Sequence, residues 1–169
     1  ILELNHRLEP HKEKGQFLPF SQLIRLFEEY PVLVGCGHPY RAPGHVPELP
    51  EEQLRHLGFL DLNGKDLALD RARTEELTYA LARRLSIPVV SGSDTHQAVQ
   101  YGCVTTVFQR EVCSISALKA EMDAGRYEIQ LSDTVAAQVR TACLLKRSLK
   151  EIHALGGDYV SILTQEAIA

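Results

Sequence analysis

Apolar residues along this chain follow two patterns that alternate from one end to the other. In one pattern they recur every three or four positions, which is the period of an amphipathic helix with one buried face. In the other they form short continuous runs, which are typical of strands buried on both faces of a parallel sheet. The first pattern predicts helices at 19–30 (with Ser21 near its cap), 51–57, 70–85, 114–125 and 133–155, and a short C-terminal helix beyond Gly157.

The continuous runs predict the strands. These are 1–4, 32–37, 58–64, 87–90, 102–108 and 127–131. A polar loop is expected at 5–12, and Asn63-Gly64 has the composition of a turn. Because strands and helices alternate, we expect an α/β fold of parallel β/α units with the helices outside the sheet.

Length and composition indicate one globular domain that spans residues 1–169. Apolar residues make up 44% of the chain and charged residues 24%, and the net charge of −4 gives no signal for nucleic-acid binding. The 4 cysteines lack a C-x-x-C spacing and are expected to be reduced packing residues. No apolar run is long enough for a membrane span, so we expect a soluble, cytoplasmic protein. The chain begins with Ile1 rather than Met, and we expect natural sequence to be missing before it.

Ligand-type side chains follow two of the predicted strands at the point where each strand ends. His38 and Arg41 come after the strand at 32–37, and Asp94 and His96 come after the strand at 87–90. The carboxyl ends of parallel strands meet at one edge of a sheet, where α/β proteins carry their active sites. Imidazole and carboxylate groups together suit zinc, iron or manganese, and the planar guanidinium of Arg41 suits phosphate. Each signal has an ordinary structural explanation when it is taken alone.

Two further polar residues follow the strand at 58–64. Asp61 and Asn63 are placed to hydrogen-bond a substrate or a metal-bound water, although Asn63 before Gly64 also suits simple turn chemistry. His45, His56 and His153 are expected to be ordinary surface residues.

The two strand-end motifs resemble those of a known family. Val-Gly-Cys-Gly-His-Pro-Tyr-Arg at 34–41 is similar to the third motif of the PHP (polymerase and histidinol phosphatase) family, and Ser-Gly-Ser-Asp-Thr-His at 91–96 is similar to its last motif. The segment at 58–64 resembles the strand between them. The resemblance covers roughly residues 18–108 well and the remainder loosely.

This resemblance implies a distorted seven-stranded TIM-like β/α barrel, of which the chain would form about the C-terminal two-thirds. It also implies two or three divalent metal ions, drawn from Zn, Fe or Mn, and a metal-bound water as nucleophile, so that no side chain is assigned as the nucleophile. His38, Asp94 and His96 match metal ligands of the family, and either His6 or His11 corresponds by position to another, with His6 preferred. The His-x-His motif and the acidic ligand of the second motif are not found in these residues.

Three functions remain open. The leading hypothesis is a metal-dependent phosphoesterase that acts on a small phosphorylated substrate, with Arg41 orienting the phosphate and Asn63 as a further substrate contact. The second is a metal-dependent hydrolase of C–N bonds, since amidohydrolase barrels use similar ligands. The third is a PHP-like module that lacks the full ligand set and serves a structural or regulatory role.

Overall fold

The computed structural model describes residues 6, 9, 19–30, 32–41 and 46–157. Helices account for most of the described residues. They are α1 (Phe20–Glu28), α2 (Glu51–Leu54), α3 (Gly64–Leu69), α4 (Arg71–Leu85), α5 (Ile115–Asp123) and α6 (Val135–Ala154). Every internal helix predicted from the sequence is present, and α3 is an addition. The predicted strand at 1–4 and the predicted C-terminal helix lie outside the described residues.

Three short strands form a parallel sheet in the order β1-β2-β3. They are β1 (Gly35–Cys36), β2 (Phe59–Asp61) and β3 (Val89–Val90). Cys36 pairs with Leu60, and Asp61 pairs with Val90, so the strands end close to the same line. This confirms the predicted parallel β/α arrangement for the middle of the chain, and it brings the segments after the three strands to one edge of the sheet.

The last two strands depart from the predicted parallel order. β4 (Val104–Phe108) and β5 (Tyr127–Leu131) are antiparallel and form a separate two-stranded sheet. Their side chains alternate in exposure, as expected of a sheet with one solvated face, whereas a strand buried in a parallel sheet is apolar on both faces. The prediction of parallel strands was therefore wrong for this pair. Among the described residues the two sheets do not close into a barrel.

Side chains join the two sheets. The Thr106 hydroxyl of β4 accepts a hydrogen bond from the Ser91 amide at 2.9 Å and donates one to the Ser91 carbonyl at 2.8 Å. Ser93 makes a similar pair of bonds to the backbone of Val104, at 2.9 and 3.2 Å. The Tyr127 hydroxyl donates to the Val89 carbonyl at 2.6 Å. The two-stranded sheet therefore fixes β3 and the segment that follows it by hydroxyl contacts.

Helix caps explain several of the boundaries. Asp70 and Ser114 accept hydrogen bonds from the first turns of α4 and α5, and these caps fix the starts of the two helices. Gly125 has φ of 65° just beyond α5, a conformation that favours glycine at a helix C-terminus. Ser21 was the wrong cap, because α1 begins after Pro19 with no side-chain cap. Within the predicted loop at 5–12, His6 and Glu9 have helical backbone, so that prediction was wrong at these two positions.

The hydrophobic core lies between the parallel sheet and the helices that cover it. Its buried members include Leu54, Leu60, Leu67, Leu81, Val104 and Val139. Across the residues that the structure describes, no helix combines the length and the apolar character needed to cross a membrane.

Candidate functional site at the carboxyl edge of the parallel sheet

Polar side chains from the three parallel strands meet at the carboxyl edge. We call this group the strand-end cluster, and it consists of His38, Arg41, Asp61, Asn63, Asp66, Asp94 and His96. The pKa of Asp61 is influenced electrostatically by both His38 and Asp94, which places the three groups near one another. The sequence-predicted residues after β1 and β3 are therefore brought together on either side of β2.

Asp61 ends the central strand and lies between the two flanking ligand candidates. Its Oδ1 accepts a hydrogen bond from the Gly92 amide at 3.3 Å, and its Oδ2 accepts one from Asn63 Nδ2 at 3.1 Å. Burial raises the pKa of Asp61 above its ordinary value, the two hydrogen bonds oppose that rise, and the Asp94 carboxylate adds to it. Asp61 thus holds the backbone after β3 against the end of β2.

Arg41 crosses the cluster and connects all three strand ends. Its Nε and Nη2 donate to Asp66 Oδ1 at 3.1 and 2.9 Å, and its Nη2 also donates to Asn63 Oδ1 at 2.6 Å. Its Nη1 donates to Asp94 Oδ2 at 3.3 Å. The predicted role of Arg41 in orienting phosphate stays a prediction, but most of its N–H groups already have partners within the protein.

Asn63 is almost completely buried, with 2% of its surface exposed. Its side-chain oxygen accepts from the amides of Lys65 and Asp66, at 3.0 and 3.3 Å, and so caps α3. The interpretation of Asn63-Gly64 as a turn missed this helix. Gly64 is required for a different reason, because a Cβ there would lie 3.0 Å from the Gly92 carbonyl oxygen. The start of α3 is therefore packed directly against the segment that carries Asp94.

The turn that carries Asp94 and His96 is held by a buried glutamine. Gln100 is 3% exposed. Its Oε1 accepts from the His96 amide at 2.9 Å, and its Nε2 donates to the Asp94 carbonyl at 3.3 Å. Asp94 has φ of 50°, a left-handed conformation that asparagine and aspartate tolerate better than most residues. No periodic pattern marks Gln100 or Asp66 in the sequence, and only their contacts reveal their roles.

The two histidines lie at the exposed side of the cluster. His96 is 48% exposed in its side chain, and its Nδ1 lies 2.9 Å from the Asp94 carbonyl oxygen and 3.9 Å from Asp94 Oδ1. His38 is exposed and has φ of 39°, and its carbonyl accepts a hydrogen bond from the Arg41 amide. His6, the fourth predicted ligand, is exposed, and His11 lies outside the described residues.

The donor types fit a transition-metal site, but the number of donors does not. Two imidazoles and a carboxylate are ligands that zinc, iron and manganese accept. Within the described ranges, however, no group of three or more His, Cys, Asp or Glu side chains is arranged to hold a metal ion. Asp94 Oδ2 instead faces the Arg41 guanidinium. The described residues therefore form at most part of a ligand set, and they do not fit a complete metal site by themselves.

A cavity of about 330 Å³ lies beside the cluster. Arg41, Asp61 and Asn63 form its wall on the cluster side, and the first turns of α4 form the opposite wall. The Tyr40 hydroxyl donates to the Leu77 carbonyl at 2.9 Å and ties the loop after β1 to the middle of α4. His38, Asp94 and His96 do not line this cavity, so it adjoins the ligand candidates without containing them.

Comparisons with known proteins support the relationship that the motifs suggest. Residues 74–127, which include the Asp94–His96 turn, match the family model described as PHP-associated. This match confirms the resemblance to PHP proteins. No curated protein sequence matches the chain.

A solved structure shares the fold. The crystal structure of PsfC from Pseudomonas syringae PB-5123 matches with a TM-score of 0.59 and 17% sequence identity. The match covers 79% of this chain and 54% of PsfC, so this chain spans about half the length of that protein. At this identity the similarity shows a common fold alone. The fold class is thus mixed α/β, with a small parallel sheet and helices.

Proposed function

We propose that this chain forms part of a PHP-type metal-dependent hydrolase that cleaves a phosphate ester of a small molecule. The observation that carries the proposal is the meeting of His38, Asp61 and Asp94 at one edge of the parallel sheet. His38, Asp94 and His96 would contribute to the ligand set for two or three divalent ions. The remaining ligands would come from residues outside those that the structure describes.

The finer fold belongs to the same proposal. In a PHP-type barrel the three parallel strands would be a continuous section of the wall, and further strands would lie beside β1. A bound divalent ion would supply Lewis acidity and lower the pKa of water. The residues of this chain would hold the ligand side chains in place, since Arg41, Asn63 and Gln100 restrain Asp94 and the turn around it.

A second candidate function is a module without catalytic activity, and one contact favours it. The Arg41 guanidinium lies against Asp94 Oδ2 at 3.3 Å and Asp66 Oδ1 at 2.9 Å, so a protein cation already neutralises the carboxylates. A side-chain cation that stays in this position would stabilise the strand ends without any metal. The two functions therefore differ in whether the protein binds metal at Asp94.

Metal content separates the two candidates. We expect purified full-length protein, reconstituted with Zn²⁺, Fe²⁺ or Mn²⁺ and then desalted, to retain metal by elemental analysis and to hydrolyse phosphomonoesters. The His96→Gln variant should lose metal and activity. His56→Gln is the matched control, because His56 lies at the end of α2 and faces Glu28 rather than the cluster.

The outcomes are distinct. Unchanged metal content and turnover in an Asp94→Asn, His96→Gln double variant would rule out these residues as ligands. A folded full-length protein that retains none of the three metals would favour the module without activity. Hydrolysis of amides rather than phosphomonoesters by the metal-loaded protein would favour C–N bond hydrolysis.

A further inference from the structure

The cavity beside the strand-end cluster contains an arginine whose side chain has no carboxylate partner among the described residues. Arg73 lines the cavity from the first turn of α4. Its backbone amide donates to Asp70 Oδ1 at 3.1 Å, but its guanidinium forms no ion pair with any described residue. Arg71, two positions earlier, points elsewhere and pairs with Glu75 at 2.8 Å. The guanidinium of Arg73 is therefore available to a ligand in the cavity.

Two of the three carboxylates of the cavity wall, Asp61 and Asp66, have side-chain partners in the protein. Asp66 pairs with Arg41, the second cation of the wall. Asp70 accepts the Arg73 amide as the cap of α4. Asp61 is hydrogen-bonded on both oxygens, and burial raises its pKa. Arg73 is consequently the cation of this wall that retains its hydrogen-bonding capacity for an external anion.

The position of the cavity decides which part of a substrate it would accept. His38, Asp94 and His96 lie outside its wall, whereas Asp61 and Asn63 belong to both the wall and the cluster. A phosphate ester with its reacting phosphorus at the histidines would therefore extend its leaving group into the cavity. Tyr40, Leu69 and Leu77 give this space an apolar side, and Arg73 gives it a positive group.

We propose that the cavity is a leaving-group pocket in which Arg73 selects phosphate esters whose leaving group carries a negative charge of its own, such as a carboxylate or a second phosphate. This inference rests on the proposed function for the identity of the reacting group. It adds a specificity-determining residue and a substrate class. Arg73 would contact the leaving group, so its effect would fall on substrate binding rather than on the metal ligands.

Equilibrium binding to metal-free full-length protein tests the inference without requiring activity. The probes are 3-phosphopropionate and propyl phosphate, which differ by a carboxylate in place of a methyl group. We expect the first to bind about fivefold more tightly, which is the upper range for an exposed ion pair. Arg73→Gln should remove that difference, Arg73→Lys should retain part of it, and Arg71→Gln should leave it unchanged.

Nuclear magnetic resonance supplies a second readout. Addition of 3-phosphopropionate should shift the amide signals of residues 69–74 more than those of α5. Equal affinity for the two probes in the wild type, no binding of either probe, or an equal loss in the Arg71 and Arg73 variants would each overturn the inference. Thermal unfolding checks that all three variants fold.

The outcome is independent of the test of the proposed function. If metal retention fails while Arg73 discriminates between the probes, the pocket stands and the phosphoesterase proposal falls. If metal and activity are present but Arg73 makes no difference to binding, the phosphoesterase proposal stands and the leaving-group pocket is refuted.

Discussion

Replacement of Asn63 by alanine removes one buried side chain that serves a helix and the candidate site together. Its oxygen accepts from the amides of Lys65 and Asp66 at the start of α3 and from Arg41 Nη2. Its nitrogen donates to Asp61 Oδ2. The substitution therefore removes a cap and also leaves one oxygen of the half-buried Asp61 carboxylate without a described protein donor.

The expected change in the free energy of unfolding follows from these two losses. Loss of an N-cap side chain costs about 1 kcal/mol. The half-buried Asp61 oxygen that loses its donor adds a further cost, up to the roughly 1–3 kcal/mol of an unpaired buried polar group. Arg41 Nη2 keeps its hydrogen bond to Asp66, so the loss of its bond to Asn63 adds little to the cost in stability. We expect Asn63→Ala to lower the free energy of unfolding by about 2–4 kcal/mol.

Urea unfolding followed by circular dichroism measures this change, and Ser114→Ala is the matched control. Ser114 caps α5 with a hydrogen bond to the Ala117 amide at 3.1 Å, but it is exposed and has no contact with the strand-end cluster. Its loss should cost only about 0.5–1 kcal/mol. The slope of the unfolding free energy with urea should be the same in both variants.

The comparison of Asn63→Ala with Ser114→Ala can also refute this reasoning. If Asn63→Ala costs no more than Ser114→Ala, the hydrogen bonds of Asn63 to Arg41 and Asp61 make no net contribution to stability. Arg41 and Asp61 would then hold the strand ends without Asn63, or the cluster would be satisfied by water.

Two further predictions concern a titrating group and a backbone position. Burial raises the pKa of Asp61 above its ordinary value of 3.8, so its contribution to stability is greatest below that value and is lost as the pH rises through the folded-state pKa. We therefore expect the stability of Asp61→Asn relative to wild type to rise between about pH 3 and pH 7, and a flat or falling difference in urea unfolding would refute this. Gly125→Ala should lower the free energy of unfolding by about 1 kcal/mol because φ is 65° there. Gly37→Ala, at a position with open space around the added Cβ, should have almost no effect, and equal costs would contradict the argument.

The fold was predictable from the sequence where hydrophobic period and caps agree. Asp70 at the start of α4, and Ser114 with Gly125 around α5, each supply a local boundary that no distant contact overrides. The antiparallel pairing of β4 with β5 was not predictable in this way. The alternation of polar and apolar residues along a strand predicts which face is buried. Whether two strands pair in parallel or antiparallel depends on the segment that connects them and on what covers the other face of the sheet.

The candidate site was partly predictable for a similar reason. His38, Asp94 and His96 follow apolar runs directly, so the end of each strand marks them. Asp66 and Gln100 lie in short helices after the strands and act through contacts with Arg41 and with the Asp94–His96 turn. The contact of Asp66 with Arg41 joins segments far apart in the chain, and the contacts of Gln100 depend on the conformation of the turn. Residue spacing predicts neither of them.

The hydroxyl of Thr106 satisfies both backbone groups of Ser91, a task that a neighbouring strand would otherwise perform. Movement of the two-stranded sheet away from the parallel sheet would break this pair while leaving the main-chain bonds between β2 and β3 intact. Deuterium exchange at the Ser91 amide would then report the separation of the two sheets, and exchange at Leu62, which donates to the Val90 carbonyl at 2.7 Å, would report unfolding of the parallel sheet itself. One pair of amides thus distinguishes local opening beside the candidate site from global loss of structure.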